Sequence, residues 1–296
     1  MKVLFVGGTG VISTACTELA AQRGVDLHLL NRGRTQKVLP DTVHTLVGDI
    51  NDPDVGDLLA EHEWDAVVDW IAFRPEHIQR DIELLEGRVG QYIFISSASV
   101  YQTPPSVLPV QESTLLDNPY WDYSRQKIAC EELLLQAYRE RKFPMTIVRP
   151  SHTYDPSKIP LFGGYTTIHR MLQGQKVLVY GDGTSLWTLT HSQDFAKGFV
   201  PLLANSRAIG EVFHITSDEW LTWNQIYGIV AQELGVKPQL VHVPSDLVAA
   251  YDAEIGAGLL GDKSNSMIFD NRKIKRLAPD FACTIPVSYT HLRAHE

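Results

Sequence analysis

The chain has 296 residues, of which 44% are hydrophobic and 21% charged, and its net charge is −9. That size and balance suit a folded α/β unit with a sizeable core, and they argue against a nucleic-acid partner, because phosphate contacts need clustered Lys and Arg. Three scattered cysteines, Cys16, Cys130 and Cys283, permit no disulfide framework and no CxxC metal pattern, which fits a reducing cytoplasm.

The chain opens on an apolar run, Lys2–Val6, with no long hydrophobic leader. No stretch approaches the roughly 18 apolar residues of a membrane span, so a soluble, cytoplasmic protein with no membrane partner is expected. Gly7-Gly8-Thr9-Gly10-Val11-Ile12-Ser13 follows the run and leads into a helical pattern, Ile12–Arg23. A GxxG loop alone is a weak signal that a tight turn would explain. Between a strand and a helix, it is where glycines let the backbone approach a pyrophosphate and helix N–H groups meet its charge. Gly7, Thr9, Gly10, Val11 and Ile12 are therefore candidate dinucleotide contacts. Ser13 stands where a third glycine usually sits, which would loosen the helix-to-strand packing slightly.

A second strand, Asp26–Leu30, runs into Asn31-Arg32-Gly33-Arg34. NAD sites place an acidic residue about 20 residues past the glycines to hold the ribose 2′-hydroxyl. Asn31 and Arg32 occupy that region here, and arginine suits a 2′-phosphate, so NADP is favoured over NAD, although an Arg on a solvated surface loop is the plain alternative. The third strand, Val43–Val47, is followed by Gly48-Asp49-Ile50, where Asp49 could accept from the adenine amino group.

Next come a helix at Val55–Glu61, a strand at Ala66–Asp69, a helix at Glu76–Glu86, a strand at Tyr92–Ser96, a helix at Trp121–Arg141 and a strand at Met145–Val148. Several of these strands are continuous Val, Leu, Ile and Phe, as strands buried on both faces should be. The fold class expected is α/β, a Rossmann-type doubly wound parallel sheet with a smaller C-terminal substrate lobe. Tyr92–Ser96 exits into Ser97-Ala98-Ser99-Val100-Tyr101, which puts hydroxyls at the sheet edge where such folds bind ligands. Early in the following helix lies Tyr123-Ser124-Arg125-Gln126-Lys127, whose i, i+4 spacing sets Tyr123 and Lys127 on one face. A free phenol has a pKa near about 10, and a neighbouring ammonium, helped by an oxidised nicotinamide, lowers it by favouring the phenolate. The pair alone would read as a surface Tyr and Lys; the serine-rich exit beside it changes that reading.

After Arg149-Pro150 the chain turns rich in Gly, Pro, Thr and aromatics, with a helix expected at Tyr165–Leu172, a strand at Lys176–Val179 and a Gly181-Asp182-Gly183 turn. Ser192–Ala204 and Val212–Ile215 look like a helix and strand returning to the sheet, and Trp223–Leu234 and Gln239–Val243 like another helix and strand. Residues 1–150 with 192–216 thus form the nucleotide-binding domain, and 151–191 with 217–286 the substrate lobe. The last ten residues, VSYTHLRAHE, lack caps and apolar period and read as a non-native tail, 287–296.

In order, the glycine loop, the Gly48-Asp49-Ile50 turn, SSxxVY at Ser96–Tyr101, YxxxK and the Arg149-Pro150 to Tyr154 stretch resemble the NAD-dependent epimerase/dehydratase family of extended short-chain dehydrogenases, over Met1 to about Pro286. The resemblance implies a hydride passing between a substrate carbon and the nicotinamide. Ser97 would hydrogen-bond the reacting oxygen, with Ser96 its nearest competitor, Tyr123 would be the acid/base, and Lys127 its activator and a cofactor ligand. A homodimer and a small sugar-like substrate are implied as well. Ala98 and Ser99 stand where dehydratases carry acidic residues, which disfavours dehydration and leaves epimerisation and plain dehydrogenation open. Trp187 stands where relatives handling nucleotide sugars carry an arginine; it could stack on a sugar or belong to the lobe core. His152 and His191 flank the motifs and could enter the pocket, although a lone His is more often structural. No histidine spacing suggests a ligand set, so no metal is assigned. The competing expectation is a non-catalytic NADP-sensing or RNA-associated protein of the same fold.

Overall fold

The computed structural model describes residues 1–34, 37–60 and 62–288. Its centre is a seven-stranded parallel sheet made of β1 (Lys2–Val6), β2 (Asp26–Asn31), β3 (His44–Val47), β4 (Ala66–Asp69), β5 (Tyr92–Ile95), β6 (Met145–Pro150) and a late strand, Val212–Ile215. The late strand pairs with β6, and the spatial order runs late strand, β6, β5, β4, β1, β2, β3. The crossovers are α1 (Val11–Gln22), α2 (Val55–Ala60), α3 (Pro75–Leu85) and α4 (Asp122–Arg141). The order reverses between β1 and β4, so a crevice opens at their C-terminal ends.

The period of two along each strand splits its side chains between two cores. Val3 and Phe5 of β1 point into one with Ile93 and Ile95, whereas Leu4 and Val6 point into the other with Tyr92 and Phe94. Full burial of such a side chain stabilises by roughly 1.5–3 kcal/mol, which explains the unbroken apolar runs. β3 is the exception: it is the sheet's outer strand and is mostly exposed.

The rest of the chain adds β7 (His152–Tyr154), α5 (Tyr165–Leu172), β8 (Lys176–Tyr180), β9 (Leu186–Trp187), β10 (Leu189–His191), α6 (Ser192–Phe199), β11 (the late strand), β12 (Leu221–Thr222), α7 (Trp223–Glu233), β13 (Gln239–Val243), α8 (Ser245–Tyr251), α9 (Ala253–Gly258), a π-helical turn (Leu259–Lys263) and α10 (Arg272–Leu277). β8 and β13 pair in parallel, and an aromatic cluster containing Trp187, Trp223, Tyr180 and Tyr227 fills the lobe beside them. The helix expected through Ala204 ends at Phe199 and tightens into a 3-10 turn at Val200–Leu202, because Pro201 lacks the N–H that would continue it.

Two further differences concern the C-terminal part. Ile274, Ala278 and Phe281 pack into the sheet-side core with Phe195 and Ile215 rather than into the lobe cluster. Val287, the first residue of the stretch read as a tail, is buried in the lobe cluster; residues 289–296 lie outside the described residues, as does Glu61 of the second expected helix. Among the described residues no helix is long and apolar enough to cross a membrane.

Candidate active site

The turn after β1 depends on its glycines. Gly7 and Gly8 have φ of +90° and +122°, values that L side chains rarely adopt. A Cβ on Gly8 would also sit 2.8 Å from Leu29 Cδ2. The bare backbone leads to Gly10 at the N-cap of α1, whose Val11 and Ile12 N–H groups precede the first intrahelical bond, from Thr14 N–H to the Gly10 carbonyl at 3.0 Å. This opening cradle and the helix N-terminus fit a pyrophosphate. Ser13 does not loosen the turn: it is 3% exposed, and its hydroxyl accepts from the Gly10 N–H at 2.8 Å.

On the adenosine side, Asn31 ends β2 and the Arg32 side chain is 61% exposed, with its guanidinium 4.0 Å from Asp49. Asp49 is held below its ordinary pKa, first by the Asn51 N–H and then by the Asn51 side chain and Arg32. Ile50 beside it is buried. Lys37, which sequence reasoning passed over, donates to the Thr14 hydroxyl at 2.8 Å and brings a second cation to this end of α1. These donors fit a phosphorylated ribose.

The catalytic candidates meet at the exits of β5 and β6. Ser97 caps the 3-10 turn Ala98–Val100, with its hydroxyl accepting from the Ser99 N–H at 3.2 Å and lying 2.9 Å from the Ser99 hydroxyl. Ser124 donates to Ser99 at 2.8 Å, so hydroxyls link the turn to α4. Ser96, the competitor, is 2% exposed. Lys127 is buried, and its ammonium donates to the Ala72 and Ile95 carbonyls, both at 2.7 Å, while lying 5.8 Å from the centre of the Tyr123 ring. Burial pushes Lys127 down to about 8.

The lowering expected of Tyr123 depends on a bound oxidised nicotinamide, and the protein surroundings by themselves act the other way. Burial pushes the phenol up to about 12, the Ser97 hydroxyl pulls the other way, and Asp262 adds to the rise. Desolvation outweighs the hydrogen bond because the walls of the cleft exclude part of the water that would solvate the phenolate.

Ser97, Tyr123, Ile12, His152, Lys158, Asp262 and Lys263 line one cleft of about 400 Å³, which places the glycine-loop helix against the two candidate hydroxyls. The cleft continues into a more apolar one of about 390 Å³ that shares Trp121, His152 and Lys263 with it and adds Leu161, Phe162 and Tyr180. His152 thus enters the pocket as a neutral ring, its pKa held well below the usual value by burial and then by Lys263 and Lys158. His191 lies outside that lining; its Nδ1 accepts from the Gln193 N–H. Trp187 is a lobe core residue, 2% exposed and stacked on Trp223 at 5.7 Å. Cys130, pushed up to about 12 chiefly by burial, is no nucleophile.

Asn118 was also missed. Its side-chain amide donates to the carbonyls of Ser99 (2.8 Å) and Gly261 (2.6 Å), and its oxygen accepts from the N–H groups of Tyr120 and Trp121. One buried side chain thereby fastens the serine turn, the start of α4 and the π-helical turn. An Asn just ahead of a helix was the available signal; the bond to Gly261, 143 residues away, had none. Asn118→Ala is expected to cost about 2 kcal/mol or more in urea unfolding, because it leaves several buried groups unpaired. Arg125→Ala, which removes an exposed side chain whose bonds are to the Asn118 and Pro119 carbonyls and to Asp122, should cost under about 0.5 kcal/mol.

A model of the NAD dependent epimerase/dehydratase family matches residues 3–216. The 2'-dehydrokanamycin reductase of Streptomyces kanamyceticus is 27% identical over 289 residues, covering 95% of this chain and 80% of the relative. Chloroplast stem-loop binding protein of 41 kDa b of Arabidopsis thaliana is 29% identical over 258 residues, covering 81% and 65% respectively. Among solved structures, UDP-glucuronic acid 4-epimerase from Bacillus cereus in complex with UDP-glucuronic acid and NAD superposes with a TM-score of 0.78 at 21% identity, covering 97% of this chain and 96% of that one.

Proposed function

The chain belongs to the NAD dependent epimerase/dehydratase family of extended short-chain dehydrogenases, and on that premise we propose that it is an oxidoreductase or epimerase acting on the hydroxyl of a sugar or nucleotide-sugar-like substrate, with NADP preferred over NAD. The observation that carries this reading is the single cleft lined by Ile12 of the glycine-loop helix together with Ser97 and Tyr123. When bound, the nicotinamide takes up or returns the hydride. Ser97 holds the reacting substrate oxygen; on reduction Tyr123 donates its phenol proton to that oxygen, and on oxidation it accepts the hydroxyl proton as the phenolate, which the Lys127 ammonium and a bound oxidised nicotinamide would favour. Lys127 stays buried beneath Tyr123, fixing the Ala72 and Ile95 carbonyls and supplying positive charge near the phenol. In this reading residues 1–150 and 192–216 hold the cofactor, the lobe presents the substrate, and partly buried Leu84, Leu133 and Leu135 on α3 and α4 contribute to a homodimer.

Arg32 and Lys37 support the cofactor preference. Arg32→Ser is expected to weaken NADP+ binding about tenfold and leave NAD+ binding nearly unchanged, as measured by titration of the nicotinamide nucleotides. The function itself is tested by mixing the cofactor-loaded chain with free sugars, glycosides and nucleotide sugars and following nicotinamide absorbance and sugar stereochemistry. Turnover of one class supports the proposal; cofactor binding with no change in any of them counts against it. The Arabidopsis relative, a chloroplast stem-loop binding protein, favours a second reading, an RNA-associated protein of this fold. A net charge of −9 and the complete Ser97, Tyr123 and Lys127 set weigh against it.

A further inference from the structure

At the far end of β2 from the glycine loop, three ligating side chains converge. Asp26 and His28 are two residues apart on one strand and share a face of the sheet, and His44 on β3 is the direct cross-strand partner of His28. Their ligand atoms lie within 4.8 Å of one another, and no other such trio occurs among the described residues. His28 Nε2 is 3.1 Å, and His44 Nε2 3.7 Å, from Asp26 Oδ1. A tetrahedral zinc with bonds of about 2.1 Å sets its ligands roughly 3.4 Å apart, so the two spacings bracket that edge. A third imidazole, His62, packs with its ring centre 5.2 Å from that of His28.

His28 is 8% exposed, with its ring edge-on to Trp64 at 5.1 Å and its Nε2 turned toward Asp26. Spaced 26, 28 and 44 along the sequence, the three form no recognisable motif; the strand register alone brings them together.

We propose that Asp26, His28 and His44 bind a divalent metal ion, zinc above all, that ties the outer strand β3 to β2. Two imidazoles and a carboxylate match the donor preferences of zinc. β3 is four residues long, hydrogen-bonded along one side only and mostly exposed, so a tie across its first residue stabilises the sheet's open edge. None of the three residues lines the cleft of Ser97 and Tyr123, so the site is structural and separate from turnover.

The test takes the full chain, stripped with a chelator and dialysed, and titrates it calorimetrically with zinc chloride in a non-chelating buffer. Melting curves with and without zinc run alongside. One zinc per chain with a micromolar or tighter Kd is expected, with a rise in Tm because the ion binds the folded state. His44→Ala, whose side chain is 61% exposed, and Asp26→Asn should each weaken binding about tenfold or more and lose the rise in Tm. Melts of zinc-free variants establish that they fold. Absence of saturable binding to the parent chain overturns the proposal. So does an affinity unchanged by His44→Ala, since the ion would then sit on histidines elsewhere.

Discussion

Tyr123→Phe is expected to lower turnover roughly 100- to 10,000-fold, the range that positioned acid–base groups contribute, while cofactor affinity and Tm stay close to those of the parent. The substitution deletes one oxygen. The ring stays in its contacts with Trp121 at 4.8 Å and Phe73 at 6.3 Å, so packing is kept and the proton carrier is lost. Steady-state kinetics on the substrate found by screening, beside a cofactor titration, check both halves. Turnover within about threefold of the parent would remove Tyr123 from the mechanism, since other candidates at the cleft, such as neutral His152, would then carry the proton.

The largest effect on stability is expected from Glu131→Ala. Arg149 and Glu131 are 3% and 0% exposed, and the guanidinium grips the carboxylate with two bonds, at 2.9 and 2.5 Å. The guanidinium also donates to the Glu112 carbonyl at 3.1 Å and lies 4.7 Å from the Tyr101 ring centre. Removing one partner strands a buried charge and should cost about 3–5 kcal/mol in chemical unfolding. Glu131→Gln, which keeps an acceptor oxygen, should cost less. A loss below about 1 kcal/mol would mean that water reaches the guanidinium. Arg149 belongs to the Arg-Pro motif that helped identify the family, yet its contacts make it a brace between α4 and β6, and it is not among the residues that line the cleft of Ser97 and Tyr123.

That contrast marks how far the sequence could be read. The sheet was legible because its strands are buried on both faces, so Val3–Val6 and Tyr92–Ile95 appear as unbroken apolar runs and Met145–Val148 as one broken only by Thr146. The glycine loop and the Tyr123–Lys127 spacing are local patterns, and local patterns survive in one dimension. The lobe was harder. β7, β9, β10 and β12 are two or three residues long, too short for any period to register. The glycine-rich stretch that forms α9 and the π-helical turn has weak intrinsic helix propensity. Asp262 and Lys263 reach the cleft only through the fold-back that Asn118 secures, and no neighbouring residue announces it. Trp187 was ambiguous because an indole serves equally well in a core or on a sugar; only its stacking on Trp223 decides. The rise of the Tyr123 pKa depends on burial depth, which spacing on one helix face does not encode.

The proposed chemistry needs a nicotinamide nucleotide in the crevice above β1 and β4, and the most direct test is the nucleotide content of the freshly purified chain, followed by titration of emptied protein with NADP+ and NAD+. The prediction is one nucleotide per chain, with NADP+ the tighter of the two in titration and Gly8→Val abolishing both. Binding of neither nucleotide by well-folded protein would contradict the proposed chemistry from its first step.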